Sequence, residues 1–130
     1  MKTPLGEMWL ADGVLWHRID TTDSITEDQA MAVVGLVKDL TGGKMVPAVI
    51  DLRSVSYAGP EARNQFARSP EESLELATAL LVGESASRAM ASLFTTIDRP
   101  QRPVKVFTTP EEAEGWVRTF LDEDADTKAP

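Results

Sequence analysis

The sequence predicts a mixed α/β fold: an N-terminal antiparallel hairpin, then βα units on a largely parallel inner sheet. Three observations predict it. Strand-like runs flank the dipeptide Asp12-Gly13, which suits a two-residue hairpin turn because both positions tolerate positive φ. Short apolar runs at 45–52, 77–83 and 104–107 have the length and composition of strands buried on both faces. Between and after them stand segments with helical spacing and helix-start signals, and such alternation implies parallel strands with right-handed crossovers.

In order, residues 7–11 and 14–20 form the hairpin, with Trp9 and Trp16 covering one face of the sheet. Ser24 with Glu27 and Thr26 with Gln29 make two overlapping capping boxes. Ala30, Val33, Val34 and Val37 then repeat at helical spacing, and Gly42-Gly43 supplies a left-handed stop. The strand at 45–52 contains Pro47, which lacks an amide donor and must lie at the strand's start. A short helix over 60–68 buries Ala62 and Phe66, and Ser69-Pro70-Glu71-Glu72 is a further helix-start signal. The helix over 85–97 carries Met90, Leu93, Phe94 and Ile97 on one stripe. Pro100 and Pro103 bracket the approach to the strand at 104–107. Thr109-Pro110-Glu111-Glu112 is a capping box with proline at the first helical position. The last helix presents Ala113, Trp116, Val117, Phe120 and Leu121 on one face.

One domain accounts for the chain. Residues 1–6 read as a short extension, 7–121 as the domain, and 122–130 as an acidic tail without fixed structure. A chain of 130 residues buries about two-thirds of its unfolded surface, enough for a core without staples. No cysteine is present, which removes disulfides, thiolate catalysis and cysteine-bound metal. His17 is the single histidine, so no metal site and no cofactor is predicted. No apolar run reaches the ~18 residues of a membrane helix, and the first residues lack the apolar stretch of a signal peptide. A cytoplasmic protein is the expectation. The net charge of −8 argues against nucleic acid and anionic membrane as partners.

Val49-Ile50-Asp51-Leu52-Arg53-Ser54-Val55-Ser56-Tyr57-Ala58-Gly59-Pro60 resembles the strand ending in Asp-Leu, and the loop opening the next helix, of STAS domains. These are the fold of anti-sigma-factor antagonists and of the cytoplasmic ends of sulphate transporters. The chain is similar, more narrowly, to small bacterial STAS-like proteins through Ala79–Val82, Ser87-Arg88, Pro103–Phe107 and Trp116, within 7–121. The resemblance implies a STAS-like sheet and a regulatory or interaction role. It does not extend to the phospho-switch. Where antagonists of that type carry Asp-Ser-Ser-Gly, this sequence has Gly59-Pro60-Glu61-Ala62, and Ser54 and Ser56 lie upstream.

No catalytic signature is found. His17 sits mid-strand without a nucleophile elbow, which reads as a packing histidine. The acid pairs Asp20/Asp23, Glu27/Asp28 and Glu71/Glu72 lie at helix starts, where capping explains them better than acid–base work. Gly42-Gly43-Lys44 follows a helix instead of opening one, so it is no phosphate loop. Topology supplies the candidate site. Ligands in open α/β sheets collect beyond the carboxyl ends of parallel strands. There the hydroxyls of Ser54, Ser85, Ser87 and Thr108 are expected near Arg53 and Arg88, around an anion or a carboxylate side chain. A second feature is the basic set Arg88, Arg99, Arg102 and Lys105, which would steer an acidic partner, such as a second copy's tail.

The reading that follows is a non-enzymatic interaction or regulatory module, forming a homodimer or docking on a protein partner. An exposed apolar patch on the 85–97 helix would support it. The alternative is a small-molecule binder, either anionic at the strand ends or apolar between helices and sheet. An unrecognised enzyme comes third.

Overall fold

Asp12 and Gly13 both take positive φ, 52° and 84°, the backbone of the predicted hairpin turn. The turn joins β2 (Gly6–Ala11) to β3 (Val14–Ile19) in antiparallel register from Ala11↔Val14 to Gly6↔Ile19. This computed structural model describes residues 1–20, 25–55, 59–66, 74–83, 85–95, 100 and 102–128. The first residues, read as an extension, form β1 (Lys2–Thr3) against β2 and bury Leu5.

Thr26 caps α1 (Glu27–Thr41) with a complete capping box: its hydroxyl accepts from Gln29 N, and the Gln29 side chain accepts from Thr26 N. Gly42 closes the helix in the left-handed conformation. Ser24, the other predicted cap, lies outside the described residues. Then follow β4 (Val46–Asp51), α2 (Pro60–Phe66), β5 (Glu75–Leu81), α3 (Ser85–Leu93), β6 (Val104–Phe107) and α4 (Pro110–Lys128). The helix-start signal at 69–72 lies outside the described residues. α4 continues through Lys128, into the segment assigned to a tail. No helix among the described residues is long and apolar enough to cross a membrane.

The six strands lie in sequence order, β1-β2-β3-β4-β5-β6, antiparallel up to β3 and parallel from β3 to β6. Pro47 lies one residue inside the central strand β4. The β4–β5 register shifts between Val46 and Ala48, so the ladder steps around the residue with no amide to give.

Crossovers of one hand that step one way across a sheet place their helices on one face. Accordingly α1, α2 and α3 share a core with one face of the sheet, through Ala30, Val33, Val37, Ala62, Met90 and Phe94. The opposite face packs only α4 among the described helices, with Val14, Val49 and Ala79 of the sheet against Ala113 and Val117.

Candidate functional site

The hairpin register places Trp9 opposite Trp16, and the strand registers extend the row through Val49 and Ala79 to Lys105. Both indoles lie on the α4 face of the sheet, with rings nearly parallel (3°) and centroids 6.2 Å apart. Cross-strand aromatic pairs of this kind stabilise a hairpin. α4 lies over β4, β5 and β6. It meets the hairpin near the turn, where Arg118 Nη2 lies 3.5 Å from Asp12 and a β-carbon on Gly13 would lie 3.2 Å from Leu121. The tryptophan pair is left uncovered enough that Trp9 is 37% exposed.

The next row runs Lys2, Glu7, Arg18, Asp51, Leu81 and Phe107. Arg18 is held between two carboxylates, at 2.8 Å from Glu7 and 3.1 Å from Asp20. Arg53 folds back on Asp51 in a forked pair, Nε to Oδ1 at 3.0 Å and Nη2 to Oδ2 at 2.8 Å. That hydrogen bond raises the pKa of the guanidinium, opposed by slight desolvation and reinforced by the charges of Asp51 and Glu111.

Between these groups and the start of α4 lies a cleft of about 170 Å³, lined by Trp9, Trp16, Arg18, Asp51, Arg53, Leu81 and Pro110 among others. A cavity of about 150 Å³ accommodates benzene, so the cleft holds one side-chain head or small ring. A second space lies on the other face, between the sheet and α1–α3, lined by Leu15, His17, Ile50, Leu80, Met90 and Phe94 among others. It is more apolar and more enclosed, yet only about 50 Å³, which fits a packing gap better than an organic ligand.

The predicted strand-end residues are in part brought together. Arg53 packs on Gly83, where an added β-carbon would lie 3.5 Å from its Cγ. Ser87 is buried and its hydroxyl accepts from Gly83 N at 3.1 Å. Ser54, Arg88 and Thr108 are exposed and do not line the cleft. The side chain of Ser85 lies outside the described residues, as do Ser56 and Arg99. The strand order never reverses, so no switch-point crevice gathers these groups.

Two expectations change. The basic set does not form one surface: Arg102 is buried, donating from Nε to Thr78 Oγ1 at 2.7 Å and lying 3.3 Å from Glu75. Lys105 remains exposed, its Nζ 5.6 Å from the Phe107 ring. Of the apolar stripe predicted on 85–97, Met90 and Phe94 are buried in the core, and the side chains of Leu93 and Ile97 lie outside the described residues. The exposed large apolar side chains include Trp9 and Leu10 of the hairpin instead.

His17 is 3% exposed on the α1–α3 face, its Nε2 3.2 Å from Thr3 Oγ1. Burial holds its pKa at about 4, against a smaller opposing pull from Asp20. No group of three or more His, Cys, Asp or Glu able to hold a metal occurs among the described residues. The cleft residues Trp9, Trp16, Asp51 and Pro110 were absent from the predicted site. The pairing of Trp9 with Trp16 follows from counting outward from a two-residue turn, a signal present in the sequence.

A sequence family described as a domain of unknown function, DUF7793, matches residues 8–121, and the chain belongs to it. No curated protein matches. Among solved structures the chain is similar to an uncharacterised protein of the DUF3478 family with a SpoIIAA-like fold, from Shewanella loihica PV-4. The TM-score is 0.58 at 10% identity, over 85% of this chain and 90% of that one. The likeness shows the SpoIIAA-like fold, which is the STAS-like architecture that the Asp-Leu strand implied.

Proposed function

We propose that this member of the DUF7793 family is a non-catalytic interaction module that docks a protein partner, or a second copy of itself, on the tryptophan face of its sheet. One observation carries the reading: the stacked Trp9–Trp16 pair stands beside a 170 Å³ cleft on the sheet face that α4 covers over β4, β5 and β6. Tryptophans that remain accessible next to a concavity are the anchors that interfaces favour. The uncovered pair supplies the apolar surface such a module needs.

A photo-crosslinking amino acid placed at Trp9 tests it in the cells that make the protein, with the exposed α1 position Asp39 as control. A discrete adduct from position 9 and none from position 39 is the expected result, and an adduct of twice the chain mass identifies self-association. The same adducts from both positions, or none from position 9, overturn the reading.

A small molecule in the same cleft is the second reading, favoured by the cleft's position at the carboxyl ends of β4 and β5. Native mass spectrometry of gently purified protein decides it. Extra mass that disappears on denaturation supports a ligand, and a bare chain counts against one.

A further inference from the structure

We infer that residues 1–5 form a strap fastened to the sheet by Thr3 and His17, and that a proton taken up by His17 unfastens it. The hydrogen bonds at Thr3 fix the direction of the fastening. Its Oγ1 accepts from Leu5 N at 3.1 Å and from Gly6 N at 3.0 Å, which fills both lone pairs of a hydroxyl. The one proton on that oxygen therefore points to His17 Nε2, 3.2 Å away. Nε2 must accept, so the ring is neutral and carries its proton on Nδ1. An imidazolium would aim an N–H at an oxygen with no lone pair left.

The rest of the strap's hold is backbone pairing and one buried side chain. Met8 N donates to Met1 O, Asp20 N donates to Leu5 O, and Leu5 is buried. Asp20 is the carboxylate whose charge favours a proton on His17. Arg63 of α2, Glu75 of β5 and Arg102 share its cavity, where two cations face one acid among the described residues. β2, β4, α1 and α3 present apolar Met8, Ile50, Val37 and Met90 to the same space. With Thr3 and Leu5 withdrawn the ring meets water and its ordinary pKa of 6.5, whereas burial keeps the closed ring at about 4. The open form therefore binds the proton first, and opening is favoured as pH falls between those values. Release bares the backbone of Met8 at the outer edge of β2, beside the exposed Trp9 and Leu10.

The test uses the full ¹⁵N-labelled chain, whose single histidine gives one set of ring signals. Long-range ¹H–¹⁵N spectra at about pH 7 should show Nδ1 protonated and Nε2 bare. Hydrogen exchange of the Leu5, Gly6 and Met8 amides, corrected for intrinsic rates, reads the opening constant. It should rise about fiftyfold from about pH 7 to about pH 4.5. Amides of β4 and β5 should stay better protected than these three at every pH. His17→Gln, checked for folding by circular dichroism, should flatten the rise, and Thr3→Ser, which keeps the oxygen, should retain it. A proton on Nε2 at neutral pH overturns the direction of the bond and the inference with it. An opening constant that ignores pH, or rises as steeply in His17→Gln, means fraying unconnected with His17 and also overturns it. If the three amides are protected as well as those of β4 and β5, the segment opens only with the whole fold and is no strap.

Discussion

Arg102 and Glu75 form an ion pair inside the protein, 3.3 Å apart with side chains only 2% and 10% exposed. Thr78 joins them, donating its hydroxyl to Glu75 Oε1 at 2.5 Å and accepting from Arg102 Nε at 2.7 Å. A buried pair returns little more than its desolvation cost, but losing one partner strands the other charge. Arg102→Met is therefore expected to cost about 3–5 kcal/mol in urea unfolding, while Glu75→Leu with Arg102→Met recovers most of the loss. A single substitution costing under about 1 kcal/mol would show that the triad is not what joins the start of β5 to the approach of β6.

His17 makes stability depend on pH in a known direction. Its folded pKa is about 4, lowered chiefly by burial, against 6.5 in the unfolded chain. Between those values the unfolded chain binds a proton that the folded chain refuses, so stability falls as pH falls through the window. The full effect of His17 is about 3 kcal/mol, in place above pH 6.5 and lost towards pH 4. His17→Gln should therefore lose about 2 kcal/mol less than the wild type between about pH 7 and pH 4.5. Equal losses in paired urea titrations would mean that the imidazole titrates normally.

Much of the architecture was legible because it is written locally. Asp12-Gly13, the Thr26–Gln29 box, Gly42-Gly43 and Thr109-Pro110 mark the ends of their elements, and each boundary lies where its residues put it. The pairing of Glu75 with Arg102 carries no such mark. The residues are 27 apart, and only the parallel pairing of β5 with β6 brings them together. Arg102, between Pro100 and Pro103, reads in sequence as an exposed loop cation. The site was half legible for a related reason. Arg53 does stand at a strand end, but its partner is Asp51, two residues back, and Ser87 answers Gly83 N. Short-range hydrogen bonds engage Arg53 and Ser87, two of the six residues that topology alone offered to a ligand. Trp9 and Trp16 were placed on one face, yet whether a helix covers them depends on how far α4 reaches, which no local pattern encodes.

Two exposed substitutions at Thr26 and Lys38 separate capping from charge in α1. Thr26→Ala removes the hydroxyl that accepts from Gln29 N and should cost about 1 kcal/mol. Lys38 lies in the last turn of α1, and Lys38→Ala should cost only about 0.3 kcal/mol through the helix dipole. Equal effects of the two in thermal melts would mean that the box is not what starts the helix.

Gly6 and Gly35 should respond to alanine with opposite signs. At Gly6 an added β-carbon would lie 2.0 Å from the carbonyl oxygen of Arg18, a backbone atom held in the β2–β3 ladder. Neither strand can yield without opening the hairpin that carries Trp9 and Trp16, so Gly6→Ala should cost at least about 2 kcal/mol. Gly35 lies mid-way along α1, exposed, with nothing near an added β-carbon. Gly35→Ala should stabilise by about 0.4–1 kcal/mol, since alanine loses less backbone freedom in a helix. Urea midpoints of both variants check the pair. A neutral Gly6→Ala would mean that β2 does not approach β3 as closely as the ladder requires. The tryptophan register, and the cleft built on it, would then be wrong as well.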